Sequence, residues 1–110
     1  MKITDSLYTY GIKERKLDKV LAKIRHSKKI RNLYVVVLPL VNDGILEIYD
    51  YNQLLQPFYL AMSDDIYIVG LAKDKDDAMA LVVDIIQDMH DLREGDDILF
   101  DTNKFFGFVS

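Results

Sequence analysis

The stretch VGLAKDKDDA, Val69 to Ala78, is the most enzyme-like context in the chain. An apolar run passes through Gly70 into Lys73 and then into a helix start, and open α/β sheets bind ligands beyond such strand ends. A phosphate loop, however, needs a glycine-rich turn closed by Gly-Lys-Ser or Gly-Lys-Thr. Here a single glycine precedes Lys73, and Asp74 follows it. Asp74, Asp76 and Asp77 would repel a phosphate where the helix dipole should attract it. The stretch therefore reads as a helix start capped by Asp74, with small-molecule binding at the loop 70–77 kept as an alternative.

The remaining chemistry is thinner. Asp84, Asp88 and Asp91 recur at helical spacing and, with Glu94, could gather a hard cation, but calcium loops draw their ligands from alternate positions of an irregular loop. A solvated helix face accounts for them better. His26 and His90 have no His or Cys partner at metal-ligand spacing. Ser6, Ser27, Ser63 and Ser110 lack a nucleophile elbow or a neighbouring base. Cysteine is absent, which removes disulfides, thiolate metal sites and thiol nucleophiles. The expectation is a chain without catalytic residues, without a metal site and without a cofactor.

Two segments raise the question of nucleic acid. KFFGFVS, residues 104–110, approximates the aromatic strand with which RNA-recognition domains stack bases, through Lys104, Phe106, Gly107, Phe108 and Val109. Phe105 stands where that pattern has its first glycine, no second aromatic strand lies clearly beside it, and Asp74 to Asp101 is acidic. An aromatic tail packed on the core is the expected role. The basic segment is the stronger candidate. Lys13 to Arg31 holds nine basic residues against Glu14 and Asp18, a net +7, whereas Asn42 to Asp101 carries a net −12. Nine cations could track a phosphate backbone, but no helix-turn-helix arrangement accompanies them. An asymmetry of this kind bears on association more than on fold.

These residues need elements to hold them. The 110 residues suffice for one domain, 1–110, with an ordinary balance of 50% hydrophobic and 29% charged residues. No apolar run approaches a membrane span, and MKITDSLYTYG has no export core, so a cytoplasmic protein is expected. A short strand is suggested near Leu7 to Tyr10. Leu17, Val20, Leu21 and Ile24 then form one narrow apolar stripe on a charged helix within 13–31. LYVVVL, residues 33–38, and IYIVGL, residues 66–71, are apolar without alternation, as strands covered on both faces are. Asn42-Asp43-Gly44 marks a turn. Between it and the second apolar strand the signal is divided; a helix broken near Gln56, with Pro57 opening its second part, is favoured over two antiparallel strands. That reading makes a β-α-β unit of the two apolar strands. Asp74 to about Leu92 is the clearest helix, Gly95 should stop it, and 97–100 could add an edge strand.

The expected fold is therefore α/β (or α+β), a small single sheet with at least two flanking helices. The long helix is apolar over a wider arc than one sheet face requires. That surplus, the charge asymmetry and the aromatics Tyr49, Tyr51, Phe58 and Tyr59 point to association, most simply a two-fold homodimer. Val83, Ile86, Met89 and Tyr59 are the candidate interface. Lys16, Lys19, Lys23 and Arg25 are the candidate electrostatic contacts, toward an acidic protein or, in the alternative, nucleic acid along 13–31.

Overall fold

The computed structural model describes residues 1–40, 45–92 and Phe106. Four strands form one mixed sheet: β1 (Lys2–Tyr10), β2 (Tyr34–Val37), β3 (Glu47–Asp50) and β4 (Tyr67–Ala72), in the order β1-β4-β2-β3. Helices α1 (Glu14–Arg25) and α2 (Pro57–Leu60) cover one face, and α3 (Lys75–Leu92) covers the other. The α/β class with flanking helices is thus what the chain adopts.

Alternation along β2 builds both layers at once. Val35 and Val37 join Ile24 of α1, Tyr51, Leu54, Ile68 and Leu71 in one core. Val36 and Leu38 join Val69, Ala78, Leu81, Ile85 and Met89 in the other. A strand buried on both faces has no polar position to spare, which is why LYVVVL is apolar throughout. β4 achieves the same with a bulge: Val36 pairs with Gly70 but Val37 pairs with Ile68, leaving Val69 as an extra residue. The slip keeps Ile68 and Leu71 on the α1 side while Val69 and Ala72 face α3. Gly70 sits at this bulge because a Cβ there would lie 3.3 Å from both Leu81 Cδ1 and Val36 Cβ.

The other elements begin and end for local reasons. Asp74 caps α3, its carboxylate accepting from the Asp77 backbone N–H at 2.8 Å. Pro57 occupies the first turn of α2, where its missing donor costs nothing. α1 closes without a glycine: the N–H of Ser27 donates to the Ile24 carbonyl and that of Lys28 to Lys23, with Ser27 at φ 52°. This double return, the Schellman arrangement, ends the helix at Arg25. Asn52 then pins the following loop, donating to the Ile30 carbonyl at 2.8 Å and accepting from its N–H at 3.2 Å.

Several expectations need correction. The basic helix does not extend through 13–31; Lys28, Lys29 and Arg31 lie in the loop after it. Residues 47–50 are not helical but form β3, antiparallel to β2, and only from Tyr51 does the chain turn into 3-10 and α-helical turns. Pairing with an open edge of β2 outweighed the helical spacing farther along. The two apolar strands run antiparallel, so no β-α-β unit joins β2 to β4. The parallel pair is β1 with β4, joined by a long connection that includes α1, β2, β3 and α2. β1 is also longer than the sequence suggests. The turn at 42–44, the stop at Gly95 and the strand at 97–100 fall outside the described residues.

Candidate interaction surfaces

On α3 the inward positions Ala78, Leu81, Ile85 and Met89 are buried, and the apolar surplus lies on one flank. Met79 is 53% exposed and Val83 65% exposed, one helical turn apart, with half-buried Ile86 continuing the stripe. Of the four interface candidates, Val83 and Ile86 therefore share a surface. Met89 is core at 5% exposure and is unavailable to a partner. Tyr59 packs on the far side of the sheet, edge-on to Tyr49 and to Phe58, its half-buried ring forming part of the first core. Phe58 beside it is the more exposed ring, at 66%. Burial separates these residues in a way that helical periodicity alone could not.

The opposite flank of α3 is acidic, and it is more than a solvated face. The Tyr8 hydroxyl donates to Asp88 Oδ2 at 2.5 Å, and the Tyr10 hydroxyl donates to Asp84. Alternate residues of a strand point to one face and helix residues four apart share a side, so two tyrosines match two aspartates along the edge of the molecule. Burial, then the bond to Asp88, raises the Tyr8 phenol above its ordinary value. The bond to Asp84 is the main cause at Tyr10. Glu47 plays a similar part on β3, accepting from the Tyr49 hydroxyl at 3.0 Å and from the Leu40 N–H at 2.7 Å. Tyr49 is raised first by burial and then by that bond.

The cations of α1 are exposed. Lys16, Lys19, Lys23 and Arg25 all face solvent, and among the described residues none of the basic side chains of 13–31 forms an ion pair. Lys16, Lys19 and Lys23 fall on one ridge of the helix, while Arg25 lies well round the axis from them.

At the carboxyl ends of β1 and β4 the sheet has a switch point. These neighbours are parallel, yet β1 leads into α1 on one face and β4 into α3 on the other. Such crevices hold ligands in open sheets. Here the aliphatic stem of Lys73 lies against Gly11, whose φ of 74° carries the chain out of β1; a Cβ on Gly11 would come within 2.6 Å of Lys73 Cδ. Lys73 is thus used to cover a backbone turn, and Asp74 to cap α3. Among the described residues no three His, Asp or Glu side chains come together as metal ligands would. No helix among them is long and apolar enough to cross a membrane.

Phe106 is buried at 6% exposure, edge-on to Tyr8, and its carbonyl accepts from the Thr4 hydroxyl at 3.4 Å. This aromatic of the RNA-like stretch is a core residue; the other positions of 104–110 lie outside the described residues. Comparison with protein-family models, with curated proteins and with solved structures finds no match for the chain.

Proposed function

We propose that this chain is a non-catalytic association module whose first partner is a second copy of itself, joined about a two-fold axis through the apolar flank of α3. One observation carries the reading: Val83 and Met79, one turn apart on a capped helix, are 65% and 53% exposed. Single exposed apolar residues are ordinary, but a contiguous stripe continued by Ile86 is the kind of surface that partners cover. A two-fold axis sets the same stripe against itself, which needs no second sequence. The acidic ridge lies on the other flank, so the contact need not oppose carboxylates.

Molar mass by light scattering tests this. Wild type should run as a dimer in high salt, because burial of apolar surface is not screened. Val83→Asp should give a folded monomer in that high salt, since a charge at a separable contact blocks assembly and spares the monomer core. A wild type that is monomeric at millimolar concentration would end the proposal.

A nucleic-acid reading is favoured by a different observation, the unpaired cations of α1. It requires duplex binding that weakens steeply with salt and disappears when Lys19, Lys23 and Arg25 become Glu.

A further inference from the structure

The cationic ridge and the acidic ridge match each other in spacing. Lys16, Lys19 and Lys23 are separated by three and then four residues; Asp91, Asp88 and Asp84, read backwards, are separated by three and then four. Each set spans about 10 Å of helix and falls within roughly 60° of one helix face. Set antiparallel, the two helices place Lys16 opposite Asp91, Lys19 opposite Asp88 and Lys23 opposite Asp84. The sets cannot meet within one molecule, because α1 and α3 lie on opposite faces of the sheet. The aspartates also keep acceptor capacity: Tyr8 and Tyr10 engage only Oδ2 of Asp88 and Asp84, and Gln87 donates only to Oδ1 of Asp91.

We infer that α1 of one copy docks antiparallel on the acidic ridge of α3 of another, a head-to-tail contact distinct from the two-fold contact proposed above and independent of it. The occupant is a second copy because the complementary spacing is found in this chain itself. Such a contact joins unlike surfaces, so it repeats from molecule to molecule instead of closing after two. Exposed ion pairs are individually weak and screened by salt, so the association belongs to high protein concentration and low ionic strength.

Charge swapping in a Val83→Asp background, where the apolar contact is blocked, separates this contact from the other. The parent should associate in 20 mM salt by sedimentation, with the association constant falling roughly tenfold or more by 300 mM as screening increases. Lys16→Glu/Lys19→Glu and Asp88→Lys/Asp91→Lys should each remain monomeric alone and should associate when mixed. Lys28→Glu/Lys29→Glu, with the same charge change off the ridge, should behave as the parent. If Asp88→Lys disturbs folding by freeing Tyr8, the single pair Lys16→Glu with Asp91→Lys gives the same comparison. A parent that stays monomeric in low salt, a loop variant as defective as the ridge variant, or mixed variants that stay apart would overturn the inference. So would ridge-dependent binding of duplex DNA by a parent whose own mass never changes.

Discussion

Replacing Tyr8 by Phe tests whether the carboxylates of α3 are structural partners or mere surface charge. The substitution keeps the ring against Phe106 and removes only the hydroxyl that donates to Asp88 at 2.5 Å. A hydrogen bond to an ionised group contributes roughly 1.5–3 kcal/mol when well shielded, and water at this open edge should reduce it to about 1 kcal/mol. For a chain of this length that is a fall of about 4 °C in Tm. Asp88→Asn should cost less, and the double variant should lose about as much as Tyr8→Phe alone, the usual sign of a direct contact.

The pH dependence has a definite sign. Burial and Asp88 raise the folded phenol, so above an ordinary value of about 10 the native state holds a proton that the unfolded chain has released. The stabilisation is complete below that pH and is lost as pH climbs toward the folded value. Tyr8 steepens the alkaline loss by at most about 1.4 kcal/mol per pH unit, less the screening at this part-exposed site. Urea unfolding between pH 8 and 11.5, read by circular dichroism, should therefore show a shallower alkaline fall for Tyr8→Phe than for wild type. An unchanged slope, together with additive single and double variants, would refute the idea that the pair ties β1 to α3.

Three further outcomes are expected. Asp74→Ala should lower stability by about 1 kcal/mol and Asp74→Asn by much less, since only the first removes the acceptor for Asp77; urea midpoints at constant m-value check this. Gly70→Val should cost about 1–3 kcal/mol by overpacking, because its first carbon already presses on Leu81 and Val36, and equal stability to wild type would mean that α3 can lift away. Phe106→Ala should cost about 3 kcal/mol in thermal or urea unfolding while single-stranded RNA binding stays undetectable in wild type and variant alike.

The parts of the fold readable from residues are those set by neighbours in sequence. Asp74 three residues before Asp77 specifies a cap, and a continuous apolar run specifies a strand covered twice; both are where they should be. The Ser27 closure of α1 was hidden because the motif normally advertises itself with glycine, and here a serine takes positive φ. The strand at β3 was only the rival reading because four residues of EIYD become a strand when β2 offers an edge, a fact about space and not about local preference. The surfaces divide in the same way. Periodicity placed Val83, Ile86 and Met89 on one helix, but only the sheet decides which of them it buries. The two tyrosine–aspartate bonds join residues 80 and 74 positions apart, and no local pattern signals them.

The sheet order also has a consequence for how the chain reaches this structure. β4 is the last of the described strands in sequence, yet it lies between β1 and β2 and pairs with both. During synthesis the β2–β3 hairpin can form from neighbouring residues, while β1 has no partner until residue 67 and those after it are made. Two unsatisfied edges then await a single strand. Insertion of β4 closes contacts of large sequence separation in one step, and the bulge at Val69 must find its place in the same event. Folding should be slow for so small a domain, with a rate set by β4 and not by its well-capped helix. Until that insertion the apolar residues of β2 are a template for another chain's strand, which makes early misassembly the main hazard of this order.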